Sequence, residues 1–397
     1  MSDSEDEHEF EADEVELGFV RRVQGAGDVP RLHADPDWSR WDGGKVGGRP
    51  SWLVPGETLP AVGRLQCSAC QSPLTLLLQI YCPLDDEPDA FHRSLYIFCC
   101  RESGCSKQGD GQVLRAQLPQ VNAFYSAESG ATERDTSVDV RKLCVLCGQR
   151  ASLTCSACHV AQYCCKAHQK DHWSAGGHKT DCAECASTGK LIESDAAEER
   201  VRTKGTKWVF PEYELEIDHE PDASEAVDAH EAKLIADFEK AKAERQRAPA
   251  QGESDPFTDD SAIDVTQQEL NDAIGAASGQ DQQYVRFLTR VALAKDQVLR
   301  YARWQDESVL WVHSEGTRSA ESVPPCSRCG GPRQFECQVL PQLLFYLQVD
   351  QQGSLSDISA RSCDWGTLAV YTCAASCPLN GEYADEFLHY QPPYSGA

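Results

Sequence analysis

Between Cys144 and Cys182 the chain carries two C-x2-C pairs, then a Cys-x3-His pair and a His-x3-Cys pair. Cys144, Cys147, Cys155, Cys158, Cys164, His168, His178 and Cys182 are enough soft donors for two tetrahedral zinc sites. Each C-x2-C is a tight knuckle that turns two thiolates toward one ion. Cys164/His168 and His178/Cys182 are spaced i,i+4, which puts each pair on one face of a helical turn. Pairing the first knuckle with Cys164/His168 and the second with His178/Cys182 gives two interleaved Cys3His sites. So short a segment cannot build an adequate apolar core, and metal would supply its folding energy. Cys165, His159, His172 and Cys185 stand near enough to replace a ligand, but the helical pairing favours the eight named first.

Two distant segments are alike. CSAC at 67–70 leads into LTLLLQIYCPL and then SLYIFCCRESGC, ending at Cys105; CSRC at 326–329 leads into RQFECQVLPQLL and then LAVYTCAASC, ending at Cys377. In each, a knuckle runs into a strand ending in Gln-aliphatic, and a second strand runs into another cysteine pair. Repeats of one supersecondary unit usually pack together to bury a shared face. The expected fold is therefore α+β and β-rich, a pseudo-duplicated domain built from 17–130 and 284–397 and split by an insertion. The repeat also predicts one further zinc in each half, on Cys67, Cys70, Cys100 and Cys105 and on Cys326, Cys329, Cys373 and Cys377, with Cys99 able to stand in for Cys100. Cys82, Cys337 and Cys363 have no partner at metal spacing and are expected in the core.

The elements that must position these ligands lie in a chain of 397 residues, room for two or three domains. No N-terminal stretch joins a basic region to an apolar core, which argues against a signal peptide. Apolar runs such as Leu74–Ile80 are far too short to span a membrane. Twenty cysteines without a secretion signal point to thiolates on metal in a reducing compartment rather than to disulfides. A formal charge of −26 opposes loose binding to nucleic acid and suits a basic protein partner.

Residues 1–16 read as an acidic disordered tail, with order beginning at Leu17-Gly18-Phe19. Trp38 and Trp41 follow, then a run from Lys45 to Leu53 whose glycines suggest a turn brought close to other backbone. It is not a phosphate loop, because the GxxxxGK[ST] spacing is absent. Leu74–Tyr81 and Ser94–Phe98 read as strands. The zinc-ligand cluster occupies 144–182. Residues 183–283 read as an acidic low-complexity linker that insulates the cluster, with an apolar island at Trp208-Val209-Phe210 and an Ala-rich helix over Glu225–Arg247. Phe287, Val291, Val298 and Tyr301 recur at near-helical spacing and predict an amphipathic helix. Phe335–Leu340 and Trp365–Thr372 read as strands, with Pro341–Leu347 continuing the apolar surface.

The cluster at 144–182 resembles the MYND zinc finger, through its two knuckles, Tyr163-Cys164, Gln169, His172-Trp173 and His178-Lys179. His168 stands where most such fingers have cysteine, which narrows the subgroup. The whole chain resembles the programmed cell death protein 2 family, on ELGF at 16–19, KVGGRPSWL at 45–53, CSACQSPLTLLLQIYCPL at 67–84 and DAFHRSLYIFCC at 89–100. QVLRYARW at 297–304, PQLLFYL at 341–347 and DWGTLAVYTCAASCPL at 364–379 continue it. The family's yeast member is a ribosome-assembly factor. The resemblance implies a cytoplasmic protein with a nuclear fraction, a monomeric dedicated chaperone. Its client would be one basic small-subunit ribosomal protein of the uS-five class, captured as it is made and delivered to 40S assembly. No direct contact with nucleic acid or membrane is expected.

Two other classes compete with this reading. MYND fingers also sit inside SET-domain lysine methyltransferases, but no Asn-His-x-x-Pro-like strand ahead of a catalytic Tyr is present, nor a GxSxG elbow, an HExxH or a Rossmann fingerprint. The chain is expected not to be an enzyme. A transcriptional adaptor gripping proline-rich peptides with its finger is the alternative: it would fail without the finger, whereas a chaperone would depend mainly on the repeated domain.

Overall fold

The computed structural model describes residues 15–21, 44–54, 56–102, 105, 111–125, 143–191, 209–221, 281–305, 309–349 and 363–394. Trp38, Trp41, Trp208, the tail up to residue 14 and the helix expected over Glu225–Arg247 lie outside them.

Ten strands close into one antiparallel barrel. The amino-terminal part gives β1 (Glu16–Arg21), β2 (Gly44–Val46), β3 (Thr75–Tyr81), β4 (His92–Cys99) and β5 (Gly111–Leu118). The carboxy-terminal part gives β9 (Gln297–Tyr301), β10 (Arg333–Val339), β11 (Thr367–Cys373) and β12 (Tyr383–Gln391). Between them lie the finger's short strands β6 (Leu153–Thr154) and β7 (Gln162–Tyr163), its helices α1 (Lys166–Ser174) and α2 (His178–Thr188), and the tenth barrel strand, β8 (Tyr213–His219). Two more helices, α3 (Gln282–Leu293) and α4 (Leu343–Tyr346), complete the described elements. The order around the barrel is β1-β8-β2-β3-β4-β5-β12-β11-β10-β9, and β9 returns to β1. Closure gives each of the ten strands a neighbour on both sides, which removes the exposed edges of an open sheet.

Alternation along each strand sorts the side chains onto two faces. On β4, Leu95, Ile97 and Cys99 join a cluster that also takes Val46, Leu78, Ile80, Val113, Leu215, Leu299, Cys337, Val339, Leu368 and Val370. Residues from so many strands meet only inside the barrel. Tyr96 and Phe98 point the other way, into a second cluster with Trp52, Leu53, Leu65, Leu76 and Tyr383. There the loops around β2 and before β3 cover the outer face. Leu343, Leu344 and Leu347, in and just after α4, belong to the inner cluster.

One layer of the interior is charged. Arg93 of β4 meets Glu336 of β10, and Arg115 of β5 meets Glu386 of β12, with all four side chains fully buried. Arg333 adds a second cation to Glu386 at 2.9 Å, and Tyr301 donates to Glu336 at 2.6 Å. The ends of the sequence thus share one core, as expected of a domain split by an insertion.

Several expectations change. The linker drawn over 183–283 contains β8, which sits between β1 and β2 and is required for closure. Tyr213, Leu215 and Ile217 alternate with Glu214, Glu216 and Asp218, a strand pattern hidden by the acidic composition around it. Val209 and Phe210 are buried, Phe210 in the barrel interior and Val209 against the finger. The tail drawn to residue 16 runs one residue too far, since Glu16 is in β1 and buried. The helix expected through Tyr301 ends at Leu293; Val298 and Tyr301 lie on β9, where they pair rather than stack. The glycine reading holds. Gly47 and Gly48 have φ of 64° and 63°, and a Cβ on Gly47 would stand 2.0 Å from the Pro211 carbonyl oxygen ahead of β8.

Candidate metal centre

Each C-x2-C of the finger folds into a closed turn. Gly148 N donates to Cys144 O at 2.9 Å and His159 N to Cys155 O at 2.9 Å, and both turn residues sit at positive φ. This presents the two thiols of each knuckle to one side. The second halves of the sites come from helices. His178 and Cys182 both project from α2, one turn apart, whereas Cys164 lies just ahead of α1 and His168 in its first turn.

The structure brings the eight ligands together in the two interleaved sets that spacing predicts: Cys144, Cys147, Cys164 and His168; and Cys155, Cys158, His178 and Cys182. Within each set the donor atoms lie within 4.8 Å of one another and every residue is buried. Cys147 Sγ and Cys164 Sγ are 3.6 Å apart, and Cys155 Sγ and Cys182 Sγ 3.8 Å. His168 offers Nδ1, at 3.5 Å from Cys144 Sγ and 3.3 Å from Cys164 Sγ; His178 offers Nε2, at 3.5 Å from Cys158 Sγ. A tetrahedral zinc with Zn–S near 2.3 Å and Zn–N near 2.05 Å requires edges of about 3.8 Å between sulfurs and about 3.5 Å between sulfur and nitrogen. The donor sets fit zinc in chemistry and in spacing. Bound there, zinc supplies a closed structural cross-link, since four protein donors leave no open position for substrate.

The neighbours considered as replacements have other roles. Cys165 caps α1, its Sγ accepting from His168 N at 3.5 Å. His172 bonds Tyr163 through Nδ1 at 3.0 Å and stacks on His178 with ring centres 4.9 Å apart, which fixes the ligand ring from behind. His159 is the turn residue of the second knuckle, and Cys185 is buried on α2. Outside the finger, the eight expected cysteines also gather, as Cys67, Cys70, Cys100 and Cys105 and as Cys326, Cys329, Cys373 and Cys377. Cys99 is not among them; it faces the barrel interior with Cys363. Cys82 and Cys337 are core residues as expected, and burial raises the Cys82 thiol to about 11, against the pull of Arg93.

The finger is seated on the barrel through its first knuckle. Trp52 Nε1 donates to Gly148 O at 2.8 Å, Gln149 Nε2 to Leu74 O at 2.6 Å, and Arg49 Nη1 to Val145 O at 3.2 Å. Arg150 pairs with Glu57 at 2.7 Å. An insulated module would make none of these contacts. Spacing reasoning did not identify Arg49, Trp52, Gln149 or Arg150 as a docking surface. The run Lys45–Leu53, with its glycines and buried tryptophan, was the available signal.

A closed antiparallel barrel with a docked Cys/His finger defines a class of metal-binding β-barrel proteins. Three family models divide the chain in the same way: programmed cell death protein 2, N-terminal domain, over residues 14–132; MYND finger over 144–182; and programmed cell death protein 2, C-terminal putative domain, over 281–392. The chain belongs to the programmed cell death protein 2 family. It is 36% identical to programmed cell death protein 2 of Rattus norvegicus over 389 residues, covering 95% of this chain and 96% of the relative. The Bos taurus protein of that name is 35% identical, with the same coverage. Programmed cell death protein 2-like of Homo sapiens is 28% identical over 89% of this chain and 90% of the relative. No solved structure matches the chain.

Proposed function

We propose that this zinc-binding protein is a dedicated chaperone for a basic small-subunit ribosomal protein of the uS-five class, capturing it during synthesis for 40S assembly. The resemblance along the chain supplies the reading. The observation that supports it is the outer face of β8. Glu212, Glu214, Glu216 and Asp218 are all exposed and stand at alternate positions just before and along the strand, a row of carboxylates on a rigid wall. Together with the net charge of −26, this row suits a lysine- and arginine-rich segment that would otherwise bind RNA. On this reading the finger cross-links and seats on the barrel, two zinc ions hold it, and the protein binds without catalysing. It works as a monomer, in the cytoplasm with a nuclear share.

We also infer that the barrel halves are copies of one unit. The order β2-β3-β4-β5 meets β9-β10-β11-β12 in reverse. The β3–β4 and β10–β11 pairs each carry a bulge on the first strand. Gln79 and Gln338 each bracket a peptide of a covering segment, at Ser51 and at Leu310, with both amide atoms.

The test is direct binding of the purified chain to the client's basic N-terminal segment by calorimetry. One-to-one binding that weakens with salt, and falls at least tenfold when Glu214, Glu216 and Asp218 become Lys, supports the chaperone. No binding to the client together with finger-dependent binding to a proline-rich peptide would favour the adaptor, for which the half-exposed Trp173 of α1 is the feature to mutate.

A further inference from the structure

We propose that Cys67, Cys70, Cys100 and Cys105, and Cys326, Cys329, Cys373 and Cys377, are two further structural zinc sites, each a tetrathiolate built into the barrel. The family models place a metal-binding motif only at the finger. The inference is independent of the chaperone reading, since the sites can fill whether or not any client binds.

The backbone is the first ground. In the finger's knuckles the fourth residue after the first cysteine donates its N–H to that cysteine's carbonyl and takes positive φ. The barrel knuckles do the same: Gln71 N to Cys67 O at 3.0 Å with φ 61°, and Gly330 N to Cys326 O at 2.9 Å with φ 73°. The following turn repeats as well, with Cys67 N donating to Ser72 O and Cys326 N to Gly331 O, as Cys144 N does to Gln149 O. Left-handed backbone at Gln71 has no glycine to relieve it, so the surroundings must hold it.

The sulfur positions are the second. Cys70 and Cys100 lie 3.7 Å apart, Cys326 and Cys377 3.8 Å, and Cys329 and Cys373 3.5 Å. These are edges of a zinc tetrahedron of about 3.8 Å, and far from the roughly 2.05 Å of a disulfide. Backbone donors reach the sulfurs, as they do for thiolates: Cys70 N to Cys67 Sγ at 3.3 Å, Glu102 N to Cys100 Sγ at 3.4 Å and Gly331 N to Cys329 Sγ at 3.4 Å.

The third ground is what surrounds the second tetrad. Cys326, Cys373 and Cys377 form a buried cluster containing no other apolar side chain, so ordinary packing does not account for it. Four thiolates on one zinc carry a net charge of minus two, and Arg115 Nη2 reaches Cys377 Sγ at 3.6 Å to offset part of it. A tetrahedral all-sulfur cage with closed coordination is a structural zinc site. Each one pins the loop before a barrel strand (β3 or β10) to the end of the next (β4 or β11). Cys70 and Cys329 are the exposed ligand of each set, open to metal entry.

Elemental analysis of the full-length chain, purified under reducing conditions, tests this. Four zinc ions per chain are expected, with zinc-edge X-ray absorption showing a mean of more than three sulfurs per ion. Cys70→Ser and Cys329→Ser should each remove one ion and leave the finger's pair. The wild-type count stands even if a variant misfolds. Two zinc ions in the wild-type chain, iron in place of zinc at the tetrathiolate sets, or a disulfide between Cys70 and Cys100 or between Cys329 and Cys373 would each overturn the proposal.

Discussion

Arg93 on β4 and Glu336 on β10 form a two-point ion pair inside the barrel, Nη1 to Oε1 at 2.5 Å and Nη2 to Oε2 at 2.7 Å. The two residues come from opposite family segments, 243 positions apart, and neither side chain reaches solvent. Burial alone would raise the Glu336 carboxyl, but Arg93 and Arg303 hold it well below the usual range.

Breaking that pair should be costly. Arg93→Met leaves a buried carboxylate, with an expected loss of about 3–5 kcal/mol. The double variant Arg93→Met, Glu336→Gln should lose less than the sum of the single changes, because they share one network. Denaturant unfolding of the metal-loaded chains measures both; strict additivity would show that the pair is not the link between segments.

His92, buried on β4 beside the Tyr81 hydroxyl at 3.2 Å, is pushed down to about 4 by burial. The unfolded chain takes up this proton near pH 6.5 and the folded chain only near 4. The contribution is therefore fully present above about pH 6.5 and lost as pH falls toward 4. His92→Gln should flatten the fall in stability across that window relative to wild type. An unchanged slope would place the titration elsewhere.

The seat of the finger rests on Trp52, whose ring packs on Tyr96 and Tyr383 while Nε1 holds Gly148 O. Trp52→Phe keeps much of the packing and removes the donor, with an expected cost of about 1–3 kcal/mol for the stranded carbonyl. Amide exchange over 144–150 should speed up while zinc content is unchanged. No change in exchange would mean the finger is held by other contacts.

Two deletion variants separate the finger from the linker. Joining 17–130 directly to 284–397 removes β8, opens the barrel between β1 and β2, and should give an aggregating chain. Replacing only 222–280 with a flexible linker keeps every described barrel strand and should melt cooperatively. A soluble, cooperative product from the first deletion would show that β8 is dispensable.

The ligand sets were legible because a knuckle is local: Cys144 and Cys147, or Cys326 and Cys329, declare their geometry within four residues. The strands around Leu78, Leu95, Val339 and Val370 were legible as apolar runs for the same reason. Barrel closure was not, because it depends on pairings such as Glu16 with His219 across the whole chain. β8 was lost because its acids dominate composition, although Tyr213, Leu215 and Ile217 keep a period of two. Arg93 and Arg115 look like solvent-facing residues of amphipathic strands. Only Glu336 and Glu386, each over 240 positions away, make their burial tolerable. The docking of Gly148 on Trp52 is likewise a contact between surfaces that each look complete alone.

The chaperone reading is tested most directly by affinity capture of the tagged full-length chain, with sequencing of the mRNAs on the ribosomes that come with it. The account predicts enrichment of one message, that of the uS-five-class protein, with the completed client in the same eluate and loss of both when Glu214, Glu216 and Asp218 become Lys. Ribosomes carrying no enriched message, and a client that accumulates and assembles normally in cells lacking this protein, would contradict it.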